Sequence, residues 1–257
     1  MAEQQVEQGK INVRISGGIG SLSFFHPKGN SLPGGLLRQL AKEITELGKN
    51  HEVRVVALYS EGEDGPFCAG ASFDELLAID GFEQAKHFFM GFAQVILAMK
   101  ECPKFVITRI QGKAVGGGVG LVAASDYALA SSGASIKLSE FALGFGPFVI
   151  GPAVERRVGK AAFTSAAIDT DWREAAWARE KGLYAEVFDS FPVLDGAFAT
   201  LAGKLAESSP DAVLQLKRVF WQGTENWDRL LPERAELSAR LVLTDFTRQK
   251  IEEFKKR

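Results

Sequence analysis

Two glycine-bearing junctions constrain this chain more than anything else in it: FCAGAS at residues 67–72 and KAVGGGVG at residues 113–120. Each follows a short apolar run that reads as a buried strand, VRVVALY at residues 53–59 and FVITRI at residues 105–110, and each leads into helical text. A strand, a tight loop and a helix start occurring twice read as an α/β core, here with a helical C-terminal extension. Glycine at such a junction lets backbone approach a ligand, and a helix start offers unpaired N–H groups with partial positive charge. Two such N–H groups aimed at one point make an oxyanion hole. The 27 glycines exceed the ~7% average usage by about half.

Nucleotide loops fit these junctions poorly. Gly116, Gly118 and Gly120 give GxGxG, because Leu121 stands where the dinucleotide fingerprint needs glycine. Lys113 precedes the glycines and no GK[ST] follows, so the phosphate loop of NTPases is absent. Close helix–strand packing is the simpler role for a lone GGG. Neither GxSxG nor HExxH occurs, and His26, His51 and His87 have no ligand spacing, so no metal site is expected.

Elsewhere the text resolves into elements. Val13, Ile15, Leu22 and Phe25 around Gly17-Gly18 read as a hairpin, and Leu36, Leu37, Leu40, Ile44 and Leu47 follow helical spacing with Gly48 as a C-cap. A polar turn, EGEDGP, precedes the first junction. Phe82, Ala85, Phe89, Phe92, Ile96 and Met99 mark a helix that Pro103 ends. Helices are expected at 173–180, 193–207 and 211–221, then one long helical stretch from Leu230 to the end.

Thirty Lys and Arg against thirty-two Asp and Glu leave no global basic field, so nucleic acid and membrane surfaces are not expected partners. The polar opening MAEQQVEQGK and two cysteines, Cys68 and Cys102, outside any CxxC pattern suggest reduced thiols and a cytoplasmic location. One carboxylate stands out. Glu140 lies in IKLSEFALGFGPF, nearly free of other charge, where burial raises a carboxyl pKa toward neutrality. A helix start or half of an ion pair are its structural alternatives.

The order of these pieces resembles the crotonase (enoyl-CoA hydratase/isomerase) superfamily. FCAGASFDEL is similar to F-x-A-G-A-D-x-x-E-L, and GKAVGGGVGLVAASD to G-x-A-x-G-G-G-x-x-L-x-x-x-x-D. HPKGNSL, KGLYAEVF, SSPDAVLQLKRVF and the ending LTDFTRQKIEEFKKR also resemble the family's segments, in order, along nearly the whole chain. The resemblance implies an α/β fold with a crotonase-like core of repeated ββα units at 1–190 carrying an acyl-CoA site. It also implies a helical C-terminal trimerisation region at 191–257, part of the same fold, in a homotrimer or dimer of trimers. No bound cofactor is implied; a coenzyme A thioester is the substrate.

Carried over by position, the oxyanion hole consists of the backbone N–H groups of Ala71 and Gly117. Ala71, Ser72, Phe73 and Asp74 flank the CoA moiety, and Lys28 is a further candidate for a phosphate. Hydratases of the family use two glutamates; counted without gaps, these positions hold Gly120 and Glu140 here. Moving a double bond needs only one carboxylate, and this arrangement resembles the single-glutamate enoyl-CoA isomerases. A hydratase or lyase drawing a second acid from Asp74, Glu75 or a neighbouring helix is one alternative. An acyl-CoA-binding homologue without efficient catalysis is the other. GFGPFVIGP departs from the family's G-x-x-P-G-x-G-G and brings Phe145 and Phe148 toward the acyl pocket. Asp169-Thr170 replaces a TG before the late helix.

Overall fold

A computed structural model of the chain describes residues 9–62 and 65–256; most of the polar opening and Glu63-Asp64 of the EGEDGP turn lie outside the described residues. The hairpin forms from β1 (Lys10–Ser16) and β2 (Ile19–Phe25), paired antiparallel around Gly17 and Gly18, both at positive φ. β3 (Val55–Ser60), β4 (Phe105–Ile110), β6 (Tyr127–Ser131) and β8 (Glu186–Phe188) extend this sheet in parallel, in the order β1-β2-β3-β4-β6-β8. Val55, Val56, Ala57 and Leu58 are all buried, as expected for a strand covered on both faces.

The helix α1 (Gly34–Lys49) buries Leu36, Leu37, Leu40, Ile44 and Leu47. Gly48 is not its C-cap: it lies inside the helix, whose cap is Asn50. Its role is close approach, since a β-carbon there would stand 3.3 Å from both Cys102 Sγ and Pro103 Cδ. Two short helices follow the junctions, α2 (Phe73–Ala78) after the first and α4 (Gly117–Ala124) after the second. The long α3 (Phe82–Glu101) lies between them. Ser72 caps α2, its hydroxyl accepting the Glu75 N–H.

Beyond residue 150 the chain is mainly helical: α5 (Gly151–Val158), α6 (Lys160–Ile168), α7 (Ala175–Glu180), α8 (Phe191–Ala206) and α9 (Pro210–Phe220). The expected helical stretch from Leu230 to the end is two helices, α10 (Trp227–Val242), which starts three residues earlier, and α11 (Asp245–Lys255). Thr244 makes the break, because its hydroxyl caps α11 by accepting the Thr247 N–H. α9 is moored by a buried pair in which Lys217 Nζ meets Asp126 Oδ2 at 2.8 Å and donates to the Lys104 carbonyl. Asp126 also accepts the Val106 N–H and the Trp221 indole N–H, so the ion pair is well supplied with partners. Among the described residues, no helix is long and apolar enough to cross a membrane.

Candidate active site

The two glycine junctions meet through their backbones. Val115, in the two-residue strand β5 (Ala114–Val115), donates its N–H to the Cys68 carbonyl at 2.9 Å, and Cys68 donates to the Lys113 carbonyl. β5 also pairs with β7 (Ile136–Lys137), and Gly116 N donates to the Lys137 carbonyl at 2.8 Å. Gly70 (φ +93°) and Gly116 (φ +49°, ψ −115°) make the bends that L-residues with side chains rarely adopt. A β-carbon on Gly70 would also stand 3.0 Å from the Val115 carbonyl oxygen. One half of the site is thus assembled by main-chain bonds.

Ala71 and Gly117 follow these two bends, and both line one cleft. The neighbours of Ala71 are tied down: Leu32 N donates to the Gly70 carbonyl and Ser72 N to the Leu32 carbonyl. The Ala71 N–H and the Gly117 N–H, the latter in the first residue of α4, have no acceptor among the described residues. Two free N–H groups on one cleft are the chemistry that holds a carbonyl oxygen gaining negative charge.

Glu140 closes the other side. It precedes a 3₁₀ turn (Phe141–Leu143) that Gly144 ends at φ +96°, and its own carbonyl accepts the Leu143 and Phe145 N–H groups. The residue is 8% exposed, and its Oε2 is buried without a hydrogen-bond partner. Burial pushes its carboxyl pKa up from 4.5 to about 7, although the nearby backbone N–H groups of Glu140 and Ser139 oppose the shift. The ion-pair alternative finds no partner among the described residues. Glu140 is the one ionisable side chain among the residues lining the cleft, and a β-carbon at Gly116 would lie 2.8 Å from its Oε1.

Apolar walls surround this carboxylate. Phe145 and Phe148 both line the cleft, Phe145 stacking edge-on with Phe89 at 5.8 Å between centroids. Phe73 lines it too, whereas Ser72 and Asp74 do not. Asp74 stands outside, ion-paired with Lys28 and Lys255. Glu75 is engaged with the Gly34 N–H at 2.7 Å. Phe89, Phe92, Ile150 and Ser238 escaped the sequence reading. The first two carry the same helical spacing as ordinary core, and nothing marked Ile150 or Ser238.

The glycines after Gly116 also serve packing. A β-carbon on Gly117 would lie 2.6 Å from Phe92 Cζ, one on Gly118 2.7 Å from Cys68 Cβ, and one on Gly120 2.7 Å from Ile150 Cβ. Position 120, where the resemblance puts a second acid, is filled by Ile150 and not by either phenylalanine of the GFGPF segment.

Residues 14–255 match the family model described as enoyl-CoA hydratase/isomerase. The chain belongs to that family. One curated relative is the (7aS)-7a-methyl-1,5-dioxo-2,3,5,6,7,7a-hexahydro-1H-indene-carboxyl-CoA hydrolase of Mycobacterium tuberculosis, 32% identical over 59% of this chain and 62% of the relative, less than two thirds of its length. Another is the peroxisomal Delta(3,5)-Delta(2,4)-dienoyl-CoA isomerase of Arabidopsis thaliana, 28% identical over 73% of this chain and 71% of the relative. The crystal structure of enoyl-CoA hydratase from Bacillus halodurans superposes with a TM-score of 0.87 at 18% identity, covering 95% of this chain and 99% of that one. Fold and C-terminal helical region thus agree with this enoyl-CoA hydratase/isomerase family structure, as the sequence motifs implied.

Proposed function

We propose that this chain is an acyl-CoA enzyme that holds a thioester enolate on the Ala71 and Gly117 N–H groups and moves a double bond with Glu140 as sole proton carrier. The observation that carries the reading is the solitary carboxylate: among the described residues no other ionisable side chain lines the cleft. In its ionised form Glu140 takes a proton from C2 of a 3-enoyl thioester. The two N–H groups hold the oxygen as charge moves onto it, and the carboxylic acid returns the proton at C4. A pKa near 7 suits both halves of that exchange.

Hydration needs one group to activate water and another to deliver a proton. Ile150 fills the space of the second acid, and Asp74 and Glu75, the two nearby substitutes, are committed outside the cleft. The apolar lining from Phe73, Phe89, Phe92, Phe145 and Phe148 supports an acyl chain as the group the cleft takes. In this reading the CoA phosphates draw on the positive charge of Lys28 and Lys255, both paired with Asp74 of α2. A homotrimer or dimer of trimers belongs to the same reading, checked by light scattering.

The test is to incubate the protein separately with 3-enoyl-CoA and 2-enoyl-CoA and resolve the products by chromatography and mass spectrometry. Isomerisation yields a new peak of unchanged mass. A product heavier by one water as the main outcome overturns the isomerase reading, and no turnover across a panel of acyl chains points to a binding protein.

A further inference from the structure

The walls of the cleft belong to distant parts of the chain, and one helix touches both. The first carries Ala69, Gly70, Ala71 and Phe73, and α2, which starts at Phe73, runs on from it to the cap residue Ile79; the second runs from Ser139 to Ile150. At its N-terminal end α2 is fixed by Leu32 and Gly34, through the Ser72 N–H and the Glu75 carboxylate. Its C-terminal end lacks a local partner of the right charge. The six-residue helix has Asp74 and Glu75 in its first turn and no basic residue in its last.

Arg248 of α11 fills that gap. Its Nη2 donates to the Ile79 carbonyl at 2.5 Å, placing a guanidinium at the negative end of α2 from 169 positions away. Lys255, further along α11, pairs with Asp74 on the same short helix. On the other wall α11 packs onto the turn that carries Glu140. A β-carbon on Gly144 would stand 2.6 Å from both Phe246 Cδ1 and Thr247 Oγ1, and Thr247 is fully buried. Within α11 Thr247 and Ile251 are buried, and the Arg248 and Lys255 ties add polar anchors to that apolar contact.

We propose that Arg248 is a positioning residue: acting through α11, it fixes the Ala71-bearing wall against the Glu140 turn and so sets the affinity of the cleft for an acyl-CoA thioester. The ligand named here rests on the proposed function; the mechanical link does not. Nothing in the link requires turnover.

Two measurements on Arg248→Met, Arg248→Lys and the wild type test it. In the ligand-free protein, hydrogen exchange followed by mass spectrometry should show residues 73–79 opening at least about tenfold more often in Arg248→Met, the ratio expected for losing a hydrogen bond to a charged donor. Residues 140–146 should loosen with them, while β3 and β4 stay protected. Binding of butanoyl-CoA, a saturated thioester that cannot isomerise, should weaken by about five- to tenfold in parallel, and Arg248→Lys should retain most of both properties. Wild-type exchange at 73–79 in Arg248→Met, with loosening confined to α11, overturns the proposal. Should Arg248→Met fail to fold, Arg248→Gln, which loses the charge and keeps a polar side chain, is read in its place: a rise at 73–79 is expected, and its absence overturns the proposal. A wild type that binds no butanoyl-CoA sinks the functional reading alone, since the exchange result stands without ligand.

Discussion

Ile150 occupies the space that a side chain at Gly120 would need, its Cβ lying 2.7 Å from where a β-carbon at 120 would stand. Introducing Gly120→Glu alone therefore meets a filled wall and should destabilise the protein by at least about 1–3 kcal/mol, the usual cost of overpacking. Gly120→Glu combined with Ile150→Ala opens room for the carboxylate. The double variant should recover part of the thermal midpoint and release more hydrated product than the wild type, measured by mass. Equal hydration in the two would show that a second acid is not what the cleft lacks.

Glu140→Gln should lower kcat by about 10²–10⁴, the usual contribution of general acid–base catalysis, while KM moves far less. Turnover on 3-enoyl-CoA at matched concentrations of folded protein is the measurement.

Stability should respond to the same change with a definite sign. The folded pKa of Glu140, about 7, lies above its ordinary value of 4.5, so the folded state holds the proton more tightly than the unfolded chain. Below pH 4.5 both states are protonated and Glu140 costs nothing. As pH rises from 4.5 to 7 the fold loses stability, reaching on the order of 3 kcal/mol above pH 7. Glu140→Gln should thus match the wild type in midpoint near pH 4 and exceed it near pH 8. A constant difference across that window would mean that the carboxyl is not desolvated.

Gly117→Ala keeps its N–H yet drives a methyl into the Phe92 ring. We expect a loss of stability of about 1–3 kcal/mol. A fall in kcat approaching the ~10²–10³ seen when an oxyanion donor is removed should accompany it. Adding Phe92→Leu should return part of both, read by thermal melts and steady-state rates.

Lys217→Met separates scaffold from site. It strands the buried Asp126 carboxylate and should cost about 3–5 kcal/mol in denaturant unfolding, with turnover of the folded fraction unchanged.

The hairpin, the buried strands and the helix over residues 82–101 were legible because period-two and period-3.6 patterns report burial directly. Glu140 was legible because a lone charge in apolar text has few reasons to be there. Ala71 and Gly117 were reached only by resemblance, since a backbone N–H leaves no side chain to read. The break at Thr244 was lost because its apolar neighbours continue the helical period, and only the cap hydrogen bond distinguishes it. Phe92 looked like core, and Ile150 was not singled out at all. They are core on one face and cleft on the other, a duality that spacing along the chain cannot express.

The main-chain ladder between Cys68, Lys113 and Val115 divides the ways in which this molecule can be altered. Replacing a side chain that faces away from the ladder leaves its register intact, whereas inserting or deleting one residue in either junction shifts every rung at once. Length in these two loops is therefore fixed far more tightly than composition. New chemistry is most accessible through single replacements on the opposite wall, between Ser139 and Ile150, where one codon changes what the cleft presents and the ladder does not notice.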